Sequence, residues 1–149
     1  MKKVQLIAAA ILLTLTSLAQ GPVRLSYQVE KLDPKTYAIH ITADIAEGWH
    51  IYSQDQPKQA ISRPTLIKFT NSPLFVWKGR PVETGNKEKY VDKVSDIIQY
   101  QYAGTVEFVQ TVVKSSAAKG TVNGSITYQA CTEEQCEKPQ TISFSIPIE

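Results

Sequence analysis

The sequence is poor in residues that hold metals: 149 residues contain two cysteines, two histidines and one methionine. A structural zinc site draws four ligands, usually from two tightly spaced pairs. Here the second pair would have to be His40 and His50, which stand on separate segments, so no metal is expected. An excess of one charge is also missing. Lys2 and Lys3 account for the formal +2, leaving the rest of the chain balanced, which removes any electrostatic basis for binding nucleic acid or an anionic membrane. After the first twenty residues there is no long apolar run, no convincing helical stripe, no internal repeat and no low-complexity tract. These absences exclude a polytopic membrane protein, a helical bundle and a solenoid.

What is present begins with "MKKVQLIAAAILLTLTSLAQ", two lysines followed by a short apolar stretch and small residues before a cut expected after Ala19. This is the pattern of a signal peptide. Its apolar part falls short of the ~20 residues of a membrane span, although retention as an anchor is the alternative. Residues 20–149 have the length of a single domain with one core, and the signal segment predicts a periplasmic or otherwise exported location.

Beyond the signal segment the patterning has a period of two. Val23, Leu25, Tyr27 and Val29 alternate with polar residues, as do Tyr37, Ile39, Ile41, Ala43 and Ile45, with "LDPK" as the turn between them. After "GWHIY", the polar "SQDQPKQAISRP" reads as a long loop, and "TLIKFT" and "LFVWKG" as further strands. Residues 80–96 are charged and weakly periodic. They predict an exposed excursion with one short edge strand near Pro81–Thr84. "IIQYQYAGTVEFVQTVVK" predicts two strands broken near Ala103–Gly104, and "KGTVNGSITYQA" and "QTISFSIPI" close the chain. About eight short strands with turn signals at regular spacing predict an all-β, two-sheet antiparallel sandwich.

Both cysteines lie in "YQACTEEQCEKPQ", as Cys131 and Cys136. Outside the cytoplasm an even cysteine count reads as a disulfide. As a clip it is poorly placed, because closing a loop of about six residues removes only ~2 kcal/mol of unfolded-chain entropy. As an exchange centre it sits in a hairpin turn, where access is good. Glu133, Glu134 and Glu137 should raise the thiol pKa values, opposed by Lys138 alone. Residue chemistry leaves the structural and the redox readings both open. His40 reads as a surface residue and His50, beside Trp49, as part of the packed end of a strand.

Several stretches together resemble one family. "EGWHIYS" after an early strand, the charged excursion before "YQYAGTVEF", and the closing "GSITYQACTEEQCEKPQTISFSI" are similar to the N-terminal periplasmic domain of the DsbD thiol:disulfide interchange proteins, over roughly residues 22–148. The resemblance implies an immunoglobulin-like sandwich, a cofactor-free monomeric module acting as a protein-disulfide reductase. Its electrons would come from a membrane thiol transporter through a thioredoxin-like reductant. They would pass to periplasmic disulfide-bearing clients, including factors of cytochrome c biogenesis. It also implies that Cys136 forms the mixed disulfide and that Cys131 resolves it. A cap loop corresponds to Glu88–Asp96, where Tyr90 and Val91 replace the family's Phe-containing motif. Since the sequence stops at Glu149, separate proteins are expected to reduce it. The competing expectation is a non-catalytic immunoglobulin-like binding module with a structural disulfide.

Overall fold

The computed structural model describes residues 21–149, so the signal segment and its cut after Ala19 lie outside the described residues. Nine strands make up the fold: β1 (Val23–Lys31), β2 (Thr36–Ile45), β3 (His50–Tyr52), β4 (Leu66–Phe69), β5 (Phe75–Val91), β6 (Ile98–Lys114), β7 (Gly120–Tyr128), β8 (Ala130–Cys131) and β9 (Gln140–Ile148). All their pairings are antiparallel. They form a six-stranded sheet (β1, β2, β3, β5, β6, β8) and a three-stranded sheet in the order β4-β7-β9. The two sheets close an immunoglobulin-like β-sandwich.

Alternation explains the core. Ile39, Ile41 and Ala43 of β2 and Val106, Phe108 and Val112 of β6 are almost fully buried. They meet Val122 and Ile126 of β7 and Phe144, Ile146 and Ile148 of β9 in one apolar cluster. Each large apolar side chain buried this way contributes roughly 1.5–3 kcal/mol. Within the three-stranded sheet the strands crowd Gly124, where a Cβ would lie 2.3 Å from the Lys68 carbonyl oxygen and 2.6 Å from the Phe144 ring. A hydrogen in place of a side chain is what lets β4 and β9 flank β7 at that point.

The six-stranded sheet is organised around β6. Along one edge, β6 pairs first with β3 (Gln101–Tyr102) and then with β2 (Thr105–Val113); along the other it pairs with β5. The expected break at Ala103–Gly104 does not occur. Instead the strand continues through an irregularity, since Gly85 opposes Val106 while Lys87 opposes Tyr102. The surplus residues of β6 are absorbed at Gly104, whose φ of 74° is the left-handed conformation that glycine adopts without steric cost.

The expected excursion over residues 80–96 is likewise replaced by strand, with β5 running unbroken to Val91. Two irregularities, between Lys78 and Val82 and between Gly85 and Lys87, leave the parity unchanged; the alternation does not show in the sequence because β5 sets Glu83, Gly85 and Lys87, not apolar residues, opposite the core residues Phe108, Val106 and Tyr102. The charges have a reason too. Among the described residues β5 pairs only with β6, and an edge strand rich in Lys and Glu resists pairing with other chains. The buried Gln110 side chain fills the first irregularity, its Nε2 donating to the carbonyls of Thr111 (2.8 Å) and Lys78 (3.2 Å).

Candidate functional site: a disulfide at one end of the larger sheet

The cysteine segment changes sheets. β7 pairs with β9 as far as Tyr128↔Gln140, and then Ala130 and Cys131 leave that hairpin to pair with β3, as Ile51↔Ala130 and His50↔Cys131. The sequence-based expectation of a hairpin held in register by its flanking strands therefore stops at Tyr128. Gln129 secures the crossing by donating from Nε2 to the Glu137 carbonyl (3.1 Å), and Glu137 N donates to Ala130 O (2.9 Å). Between them, Thr132 N donates to Gln135 O (2.7 Å), while the Thr132 hydroxyl accepts from the amides of Glu134 and Gln135. This self-bonded turn sets Cys136 opposite Cys131, and the two are joined as a disulfide.

The two sulfurs differ in environment. Cys131 is 1% exposed, whereas Cys136 lies at the surface. The access expected of a hairpin turn thus belongs to one cysteine of the pair. Burial of the other follows from its seat in the sheet, where β3 covers one side and the turn covers the other.

Strand parity gathers the rest of the site. Ile51, Ala130 and Tyr102 point into the core. Their neighbours His50, Tyr52, Cys131, Gln99 and Gln101 therefore share the opposite, outer face. β5 continues the row, with Glu88 opposite Gln101 and Tyr90 opposite Gln99. These side chains and the turn enclose a cleft of about 260 Å³ lined by His50, Tyr52, Tyr90, Gln99, Gln101 and Cys136, with Asp92 and residues 132–135 at its rim.

The His50 ring meets Tyr52 edge-on, with centroids 5.3 Å apart, and its Nε2 lies 3.3 Å from the Tyr52 hydroxyl. Burial pushes the imidazole below its ordinary pKa, opposed by the carboxylates of Glu88 and Glu133; burial prevails, and the ring is biased towards neutral. Burial also raises the Tyr52 phenol, with a further contribution from Tyr90.

β3 is three residues long and is fixed from its far side by one carboxylate. Glu83, 5% exposed, accepts from the Ser53 hydroxyl (2.7 Å), the Tyr102 hydroxyl (2.8 Å) and the Gln54 amide, and pairs with Lys87 (3.1 Å). Burial alone would raise the Glu83 carboxyl; these donors outweigh it and hold the pKa below the usual range. Gln56 adds a reciprocal pair with Tyr100, donating from Nε2 to its carbonyl (2.6 Å) and accepting from its amide (3.0 Å). Side chains thereby supply the order that so short a strand ladder cannot.

The structure brings Cys131, Cys136 and Tyr90 to one place. Val91, the other cap candidate, is next in β5 on the opposite parity and pairs with Ile98. The expected cap loop is the end of the β5–β6 hairpin, closed by Asp92, whose carboxylate accepts from the amides of Val94 and Ser95. The acidic trio divides: Glu133 and Glu134 face the cleft, and Glu137 faces a separate groove of about 620 Å³ between β1 and β9. His40 lies away from the site, partly buried between Glu107 (2.9 Å) and Glu30 (3.2 Å). His50, read from the sequence as strand-end packing, instead borders the disulfide. Glu88, Gln99 and Gln101 were not singled out in the sequence at all. The signal available was parity: "HIY" and "QYQY" each place two polar or aromatic side chains on the face opposite a buried one.

Comparison with known proteins gives a family and a set of similar folds. The family described as the N-terminal part of the thiol:disulfide interchange protein DsbD matches residues 18–147. No curated protein sequence matches the chain. Among solved structures, the reduced DsbD N-terminal domain of Neisseria meningitidis superposes with a TM-score of 0.52 at 18% identity, covering 82% of this chain and 83% of that one. The N-terminal periplasmic domain of ScsB from Proteus mirabilis gives a TM-score of 0.55 at 18% identity, covering 90% of this chain and 49% of that one. A Neisseria meningitidis complex between the DsbD and PilB N-terminal domains gives 0.50 at 20% identity, with 81% and 80% covered.

Proposed function

Because the chain belongs to the family of DsbD N-terminal domains, we propose that it is an exported, single-domain thiol:disulfide relay that works through Cys136 and Cys131. The observation that carries this reading is the unequal exposure of the two sulfurs. A buried resolving cysteine beside an exposed attacking one is the arrangement that stepwise exchange requires. In the reduced form the Cys136 thiolate attacks a partner disulfide, forming a Cys136–partner bond and expelling one partner sulfur as thiolate. Cys131 then attacks the Cys136 sulfur, closing the Cys131–Cys136 disulfide and releasing the second partner sulfur. Two electrons pass to the partner, and no cofactor takes part.

The partners this chemistry fits are a thioredoxin-like reductant, itself supplied by a membrane thiol transporter, and periplasmic disulfide-bearing clients such as factors of cytochrome c biogenesis. A complex of a DsbD N-terminal domain with a PilB N-terminal domain supports a protein rather than a small molecule as the partner class. Tyr90, on the rim of the cleft, is the cap residue of the scheme, with Val91 behind it. The domain docks as a monomer.

The test is capture. With Cys131→Ala, Cys136 should hold a thioredoxin-like protein as a mixed disulfide visible by mass spectrometry; with Cys136→Ala no such adduct should form. Absence of an adduct through Cys136, together with a reduction potential below about −300 mV, would instead indicate a binding module with an inert structural disulfide.

A further inference from the structure

We infer that His50 is the proton acceptor and donor for Cys131, a function that rests on the relay reading above. The geometry comes from the strand register. His50 and Cys131 are directly opposed at the end of the β3–β8 pairing, and side chains so opposed stand on one face with Cβ atoms about 4.5–5.5 Å apart. The imidazole also lines the cleft that Cys136 borders.

Cys131 needs such a neighbour. At 1% exposure its thiol proton has no open route to water. The groups that face the ring are Tyr52 from its own strand, Glu88 and Tyr90 from β5, Asp92 from the β5–β6 turn, and Glu133 and Glu134 from the cysteine turn. Among these, the neutral imidazole is the group suited to accept a proton near neutral pH. In the tautomer whose Nε2–H donates to the Tyr52 hydroxyl oxygen, 3.3 Å away, Nδ1 carries the free lone pair.

The step balances as follows. Once Cys136 is bonded to a partner sulfur, the Cys131 S–H proton moves to His50 and the Cys131 thiolate attacks the Cys136 sulfur. The Cys131–Cys136 bond forms, the Cys136–partner bond breaks, and the departing partner thiolate takes the proton back from the imidazolium. In the reverse direction His50 protonates Cys131 as it leaves. His50 ends each turnover neutral.

The experiment mixes the reduced protein with an aromatic disulfide that releases a coloured thiolate at each stage, so that attack by Cys136 and resolution by Cys131 appear as two phases. His50→Gln should slow the second phase on the order of a hundredfold while leaving the first unchanged. In the native protein the second phase should also fall as pH drops through the histidine titration, an inflection that His50→Gln should lack. An unchanged second phase, or equal slowing of both, overturns the assignment. A second measurement uses the unmutated protein: the NMR titration midpoint of His50 should differ between the oxidised and reduced forms, and identical midpoints overturn it as well. Because the reagent is a small molecule, these results stand even if no thioredoxin-like protein is captured, which would sink the relay reading separately.

Discussion

The two ends of the six-stranded sheet are built on different terms. At one end β2 pairs with β6 over nine successive residue pairs, and its inward side chains meet the second sheet in a continuous apolar layer. At the other end β3 and β8 are three and two residues long; side-chain bonds from Glu83 and Gln56 brace β3, and one from Gln129 braces the segment that enters β8. The contrast shows a division of labour. Long ladders with buried alternation supply stability, and short ladders braced by polar side chains leave one face free to carry a disulfide, a histidine and a cleft.

The strongest challenge to that division is Phe108→Ala in the ladder end. With Phe108 1% exposed, the loss should be about 3–5 kcal/mol by denaturant unfolding, lowering the stability of both ends together. Glu83→Ala comes next, at about 3 kcal/mol, because it leaves Ser53, the Gln54 amide, the Tyr102 hydroxyl and Lys87 without their common acceptor. Here the effect should be local: hydrogen exchange should rise at Ile51–Gln54 before β2 is affected, and a uniform rise would refute the idea of separate bracing.

Cys136→Ser tests the disulfide as a stabiliser. The loss should be no more than ~2 kcal/mol for so short a loop, and a larger value in urea unfolding would mean that the bond also ties β8 to β3. Tyr90→Ala should alter stability by less than about 0.5 kcal/mol, as for other partly exposed positions. If Tyr90 screens the cleft, however, the same substitution should hasten reduction of the disulfide by a bulky phosphine, and an unchanged rate would remove it from that role.

The smallest effect is that of pH on His50. Its folded pKa lies below the ordinary 6.5, so the unfolded chain binds more protons as pH falls through that value. Stability is therefore fully present above 6.5 and declines as pH falls towards the folded pKa. His50→Gln should flatten this part of the profile, as measured by thermal unfolding at several pH values.

Much of the ladder end was legible. The alternation in Tyr37–Ile45 and in Ile142–Ile146 marks strands with one inward face; both segments lie in strands, the first buried on that face along its length and the second from Phe144 onward. The site end was less so. The charged β5 reads as loop because the positions it sets opposite core residues carry Glu83, Gly85 and Lys87, and β6 reads as two strands because a glycine that permits an irregularity looks the same in sequence as one that ends a strand. Three-residue β3 is too short to establish a period at all.

The sequence by itself determined that this chain makes a β-sandwich and that its two cysteines can bond, since both depend on local spacing: a period of two along each strand, and a sequence separation of five from Cys131 to Cys136. Which sulfur meets solvent, and that His50 and Tyr90 border the pair, were decided by tertiary structure alone. Those facts depend on β8 leaving one sheet for the other to pair with a strand distant in sequence, and no local pattern encodes a pairing whose partner lies elsewhere in the chain.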